Sequence, residues 1–428
     1  MKKIAFWICG NNLNIDELLY IKLFCEELPS QEYEYYILSK DNLKNFHENS
    51  FKNLRINILT FKDIFNITFD ILILSDYYSF VEFNVKTEIE KKAYYYLLSL
   101  NIPVLTFDAP VKYPLSKHSD ICFIHKLCIK KKFEICQTCN PPKVAIIYPS
   151  PPHDAMEKCS PCKIYNWRLP IHQITEQEKK NVISQIIPNN WGEDVRIVFF
   201  SVTHNDYSRL KLTRDITYLL ILEKLFIHLF KQPEQKICLI IVSPVSFYDS
   251  LNTENIYIKH LLITENTPIN CTYYENFVLS SDIIFTINIL QNTFWLALCH
   301  GIPGINLNFV LPQTGSIDYN LTPFSMEMLR IIDNPNLFFP LNPFTNNDFS
   351  NSLNPSLQKR EIWGLQKHTD LFNTCEISDE NKIISLINKY LNDKKFKEEL
   401  IKTKNRYLKN LSEFLSAKEI IEDFLNIS

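Results

Sequence analysis

Two Cys-x-x-Cys pairs, Cys136-Gln137-Thr138-Cys139 and Cys159-Ser160-Pro161-Cys162, stand nineteen residues apart. Two residues between thiolates let one tight turn aim both sulfurs at the same ion, and two such turns supply a closed tetrahedral set. Structural zinc fits this pattern best. The same ligand count admits an iron–sulfur cluster, and two redox-active pairs are a third reading, although neither pair opens a thioredoxin-like helix. The remaining cysteines, among them Cys9, Cys25, Cys238 and Cys299, are scattered through apolar runs and read as buried thiols in a reducing compartment.

A second concentration of chemistry follows the apolar run 194–201. His204, Arg209, Lys211 and Arg214 put four cationic or protonatable groups into eleven residues, beside Thr203, Asn205 and Asp206. A third lies in Ser280–Asn308. There Ile283-Ile284-Phe285-Thr286-Ile287 reads as a strand buried on both faces, Asn288 breaks it, and Asn292 or Thr293 is expected to cap a helix over 294–299. Gly301 and Pro303 end that helix, and a second parallel strand runs over 305–309. In such a unit a ligand lies beyond the carboxyl end of the first strand, against the amide protons that open the helix. Asn288 to Thr293 is thus a candidate phosphate or ribose site.

The elements that must position these groups follow an α/β alternation. Strands are expected over 2–9, 33–39, 56–61, 69–75 and 104–108, with helices over 15–28 and 86–100, so the first part of the chain reads as a Rossmann-like half. It carries no Gly-x-Gly-x-x-Gly after its first strand, which argues against a dinucleotide held there. Strands at 194–201, 236–243 and 256–264, with helices over 216–230 and 273–279, repeat the pattern. Residues 310–357 form a long irregular segment rich in Pro, Asn and Phe. From 378 onward Lys- and Glu-rich faces alternate with Ile, Leu and Phe at helical spacing. The expected architecture is α/β, with two Rossmann-like domains facing a cleft, a Cys-rich interdomain excursion and C-terminal helices. Its boundaries are 1–120, 121–190, 191–377 and 378–428.

In one stretch a strand led by Ser281-Asp282 is followed by a polar turn and by Thr293 at a helix start. Ala297-Leu298-Cys299-His300-Gly301-Ile302-Pro303 and another strand then complete it. This order resembles the donor half of GT-B glycosyltransferases, and most nearly the branch that holds the N-acetylglucosaminyltransferase completing lipid II. The resemblance implies a nucleotide-sugar donor in the cleft and an acceptor that is a small molecule, a glycan or a protein. For such a transfer, the groups placed after strand ends that are expected to contact the donor are His204, Asn205, Arg209, Asn288, Asn292, Thr293 and Gln313, and the candidates for the base that takes the acceptor proton are His153, Asp154 and Asp16. The resemblance also implies terminal helices that cross back to the first domain, where a dimerisation arm is the other reading. The sequence departs from the family at Ile289-Leu290-Gln291-Asn292, where a glycine-containing turn is usual. It departs again at Phe294-Trp295-Leu296, where an acidic ribose contact is usual. A nucleotide-sugar epimerase or hydrolase of the same fold, and a degenerate non-catalytic GT-B-like binding protein, therefore stand beside the glycosyltransferase.

The totals narrow the field further. A chain of 428 residues exceeds one compact core, and 46% hydrophobic with 22% charged residues suffices for two. A formal charge of −3 argues against a general nucleic-acid binder. The apolar run after Met1-Lys2-Lys3 stops at Gly10, too soon for a signal peptide, and no stretch approaches the ~20 apolar residues of a membrane span. A cytoplasmic protein is expected, with a homodimer as one arrangement.

Overall fold

A computed structural model describes residues 1–8, 13, 15–52, 54–75, 87–107, 144–148, 163–172, 174–187, 191, 195–202, 226, 228–229, 236–244, 256–287, 291–308, 371–376 and 379–426. The first part holds strands β1 (Lys2–Trp7), β2 (Tyr33–Ser39), β3 (Ile56–Thr60), β4 (Ile71–Leu74), β5 (Val104–Phe107), β6 (Val144–Tyr148) and β7 (Lys163–Asn166). Helices α1 (Ile15–Glu26), α2 (Lys44–Ser50) and α3 (Glu88–Ser99) connect them. After α4 (Glu176–Ile186) come β8 (Val195–Ser201), β9 (Lys236–Ser243), β10 (Ile256–Leu262), α5 (Cys271–Leu279), β11 (Ile283–Thr286), α6 (Asn292–Cys299), β12 (Gly304–Asn308) and β13 (Phe372–Glu376). Helices α7 (Glu380–Asn392), α8 (Lys394–Leu411) and α9 (Ala417–Asn426) close the chain.

Among the described residues the strands form two sheets, of seven strands in the order β3-β2-β1-β4-β5-β6-β7 and of six in the order β10-β9-β8-β11-β12-β13. Every pairing is parallel. Parallel sheets carry helices on both faces, which is why β4, β8 and β11 are nearly unbroken runs of Ile, Val, Leu and Phe buried along their length. The expected α/β class with two Rossmann-like sheets is therefore the observed one. Residues 144–148 and 163–166 extend the first sheet by two strands, although they fall within the segment read from sequence as interdomain. The helix expected over 216–230 is described only at Phe226, His228 and Leu229, which are helical.

α1 packs on α5 and α6, so the apolar core runs continuously from the first sheet into the second. The close approach of α6 to β12 depends on Gly304, where a Cβ would come within 2.6 Å of Phe294 and 2.8 Å of Leu298. Gly301, at φ +82°, supplies the left-handed turn that ends α6. The C-terminal segment returns to the edge of the first sheet. Leu415 bridges Trp167, the Tyr165 hydroxyl donates to Asp423 at 2.6 Å, and Glu27 accepts from both the Trp167 indole (2.7 Å) and the Ala417 amide (2.8 Å). Among the described residues no helix is long and apolar enough to cross a membrane.

Candidate functional site

Each sheet reverses its strand order once, between β1 and β4 in the first and between β8 and β11 in the second. Ligands of open α/β sheets sit at the carboxyl ends of strands at such reversals, because the outgoing connections diverge there and leave a crevice. A hydrogen-bonded chain joins the two reversals. On the first side α1 begins soon after β1, and its first turn carries Asp16 and Glu17, which are 5% and 4% exposed. Ser75, just past β4, donates to Glu17 Oε2.

On the second side Ser201 ends β8 and Thr286 ends β11. The Thr286 hydroxyl donates to Gln291 Oε1 at 3.0 Å, and Gln291 Nε2 donates to the Ser201 carbonyl at 2.9 Å, so one amide side chain ties the two strand ends together. Tyr274 of α5 lies with its hydroxyl 3.2 Å from Ser201 Oγ and 2.8 Å from Thr293 Oγ1. Thr293 donates in turn to Asp16 Oδ1, and Asn292 Nδ2 donates to the Asp16 carbonyl at 3.1 Å.

The proton directions follow from the chemistry of the groups. An ionised carboxylate only accepts, so the Thr293 proton is committed to Asp16, the Tyr274 proton goes to Thr293, and Ser201 donates to Tyr274. Burial pushes the Tyr274 phenol well above its ordinary pKa, with Asp16 adding to the effect, so it remains a neutral donor. Asp16 thereby receives a polarised chain of three hydroxyls from the second half of the molecule while its own helix belongs to the first. The carboxylate of Asp16 is thus buried and oriented by donors from the second half of the molecule.

Three of the residues singled out from sequence, Asp16, Asn292 and Thr293, are brought into direct contact by the fold. The capping expectation needs correction: the residue preceding the helix is Gln291, which makes no side-chain cap, while Asn292 and Thr293 lie inside the first turn and turn their side chains to Asp16. Their hydrogen-bonding capacity is drawn sideways by a neighbouring carboxylate rather than back onto their own helix. His153, Asp154, His204, Asn205, Arg209, Asn288, Gln313 and the four cysteines Cys136, Cys139, Cys159 and Cys162 lie outside the described residues. So do the segments 9–12, 76–86, 203–225 and 288–290, which follow the four strand ends at the two reversals. Sequence reasoning missed Ser201, Tyr274, Gln291 and the Glu17–Ser75 pair. A serine at the end of an apolar run was the one visible signal. Tyr274, among Tyr273, Phe277 and Val278, looks from sequence like any apolar helix position.

The structure resembles the glycosyltransferase SnogD from Streptomyces nogalater, with 8% identity over 100% of this chain and 99% of that one and a TM-score of 0.51. It likewise resembles the spinosyn rhamnosyltransferase SpnG, with 10% identity over 99% of each chain and a TM-score of 0.52. At such identities the likeness speaks for the fold, which is GT-B. No curated protein matches the sequence. A family model does match over residues 63–427, a span that runs from before β4 to the last residue but one, and on that evidence the chain belongs to the family of unknown function DUF6365.

Proposed function

We propose that this protein is a glycosyltransferase that moves a sugar from a nucleotide-activated donor to an acceptor hydroxyl in the cleft between its two sheets. The observation that supports it best is the chain Ser201–Tyr274–Thr293–Asp16, which joins the carboxyl ends of both sheets at their points of strand reversal, in a fold shared along its whole length with two glycosyltransferases. In this reading the donor diphosphate meets the amide protons at the start of α6, with His204, Asn205, Arg209, Asn288, Asn292, Thr293 and Gln313 as its contacts. The acceptor oxygen attacks the anomeric carbon, the bond from that carbon to the diphosphate oxygen breaks, and the nucleoside diphosphate leaves with the electron pair. The acceptor proton passes to a carboxylate or imidazole, for which Asp16, His153 and Asp154 are the candidates. Of these Asp16 has the support of its surroundings, since it is oriented by donors from the opposite half.

One observation favours a second reading, a GT-B-like protein that binds without catalysing. The Thr293 hydroxyl is committed to Asp16. A thermal-shift panel of UDP, GDP, CDP and dTDP separates the two. The transferase reading expects stabilisation by one of these nucleotides, and no shift with any would remove it. A nucleotide-sugar that is consumed without an added acceptor would move the reading to an epimerase or hydrolase. The cysteine pairs enter as a structural zinc site, formed by Cys136, Cys139, Cys159 and Cys162. In its support, Cys162 immediately precedes β7 and Cys139 lies shortly before β6, and these two strands are parallel neighbours. Elemental analysis of protein purified without chelator should find stoichiometric zinc. Iron with a visible absorption band would replace zinc by a cluster, and absence of metal would remove the site.

A further inference from the structure

Farther along α1, away from Asp16, a second group of side chains joins the two halves. Lys22 of α1 is 1% exposed, and its ammonium lies 2.7 Å from Glu26 Oε2 on its own helix and 2.6 Å from Glu275 Oε2 on α5. His172, in the connection between β7 and α4, places Nδ1 2.9 Å from Glu275 Oε1 and Nε2 3.9 Å from Glu26 Oε2. Glu26, His172 and Glu275 are close enough together to hold a divalent cation. The Lys22 ammonium already bridges the two carboxylates, however, so the positive charge at this point is supplied by the protein.

The charges balance in only one protonation state. Two carboxylates face one permanent cation, and the fourth charge is that of His172. With His172 protonated the group is neutral; with His172 neutral, a net charge of −1 is left on two carboxylates, of which Glu26 is partly exposed to water but Glu275 is buried, and an excess of negative charge at Glu275 is costly. The other titratable groups near it, among the described residues, are His300 at the end of α6, which burial holds below its ordinary pKa and hence neutral, and the thiols of Cys271 and Cys25, which burial pushes up so that they too stay neutral. We propose that Lys22, Glu26, Glu275 and His172 form a pH-responsive latch between α1 and α5, closed when His172 carries its proton and loosened when it does not.

The electrostatic surroundings agree in direction. Hydrogen bonding to Glu275 raises the His172 pKa, burial opposes this, and the charges of Glu275 and Glu26 add to the rise. For Glu275, burial favours the neutral acid, but the bond from His172 and the charge of Lys22 prevail and hold it below its usual range. Because the closed form raises the His172 pKa above the free imidazole value of ~6.5, the latch is complete below that pH. It weakens as pH climbs through the raised value. Tyr274, the neighbour of Glu275, carries the hydrogen bond to Thr293, so loosening of α5 reaches the chain that orients Asp16.

Hydrogen exchange tests the latch without reference to any reaction. Protection factors for amides of α1 and α5, corrected for intrinsic exchange, are measured at about pH 6 and about pH 8. In the wild type they should fall about tenfold between the two, while those of β8 and β9 stay level. His172→Gln should give the lower value at both pH values, and His172→Lys should hold the higher one at both. Wild-type protection that does not change with pH overturns the proposal, as does an unchanged fall in His172→Gln. A parallel loss in β8 and β9, which would signal global unfolding, also overturns it.

Discussion

Helix α1 is attached to the second half of the molecule at two places by two kinds of chemistry. At its first turn Asp16 receives a chain of neutral hydroxyls, in which each hydroxyl donates once and those of Tyr274 and Thr293 also accept once, and the chain itself brings no charge to the carboxylate. Near its last turn Lys22 and Glu275 bury opposite charges, and the partly exposed Glu26 and His172 complete the balance. A hydroxyl chain is satisfied at any pH at which Asp16 is ionised. An ionic group is satisfied only at the protonation state in which its sum is zero. The difference suits the two positions: orientation of a carboxylate calls for constancy, whereas a contact that can open calls for a group whose balance can be upset.

Substitutions separate the two attachments most sharply where their chemistry differs most. If Asp16 is the base of the proposed transfer, Asp16→Asn should lower turnover by about 10²–10⁴, while nucleotide-induced stabilisation persists because the amide still accepts from Thr293. Activity that survives the change would leave Asp16 as scaffold. At the other attachment Lys22→Met removes the cation from between two carboxylates and should cost about 3–5 kcal/mol in denaturant unfolding, as expected when one partner of a buried pair is lost. Adding Glu275→Leu to Lys22→Met should restore much of that loss. A double variant less stable than the single one would contradict the charge-balance account.

Smaller effects are expected within the hydroxyl chain. Thr293→Val takes a donor from Asp16 and should reduce nucleotide affinity by tenfold or more, about 1.5–3 kcal/mol, with a fall in melting temperature as well, because the hydroxyl also serves the fold. A lower melting temperature with unchanged nucleotide affinity would make Thr293 purely structural. Tyr274→Phe leaves Ser201 and Thr293 each short of a partner, at about 1–3 kcal/mol. That loss should be the same at about pH 6 and about pH 8, whereas any stability contributed by His172 should decline over that range as the imidazole loses its proton. Equal pH dependence in Tyr274→Phe and His172→Gln would erase the distinction between the two attachments.

Much of the fold was legible along the chain. Continuous apolar runs bounded by polar turns placed β2 and β9 to the residue and β8, β11 and β12 within one residue at their ends, because strands buried on both faces advertise themselves by composition alone. Gly301 marked the end of α6 for the same local reason, its positive φ. β6 and β7 were not legible: they are short, lie beside the cysteine pairs, and gain their identity only by pairing with β5 and each other.

The candidate site divides along the same line. Asp16, Asn292 and Thr293 could be named from sequence because each stands at a helix start next to a strand, which is a local property. Their contact could not, since Asp16 and Thr293 lie 277 residues apart in the chain and meet only through the packing of α1 on α6. Nor could the role of Tyr274, whose ring reads as core and whose hydroxyl matters only for where Ser201 and Thr293 bring their oxygens. Lys22 is the plainest case. A lysine in an amphipathic pattern is by default a solvated charge, and its burial is tolerable only because Glu26 and Glu275 converge on it from two helices. Local sequence therefore determined which residues form strands and which can open a helix, through short-range sterics and hydrophobic periodicity. The tertiary structure decided which polar groups were taken out of water together, because the cost of burying each one is offset only by partners distant in the chain.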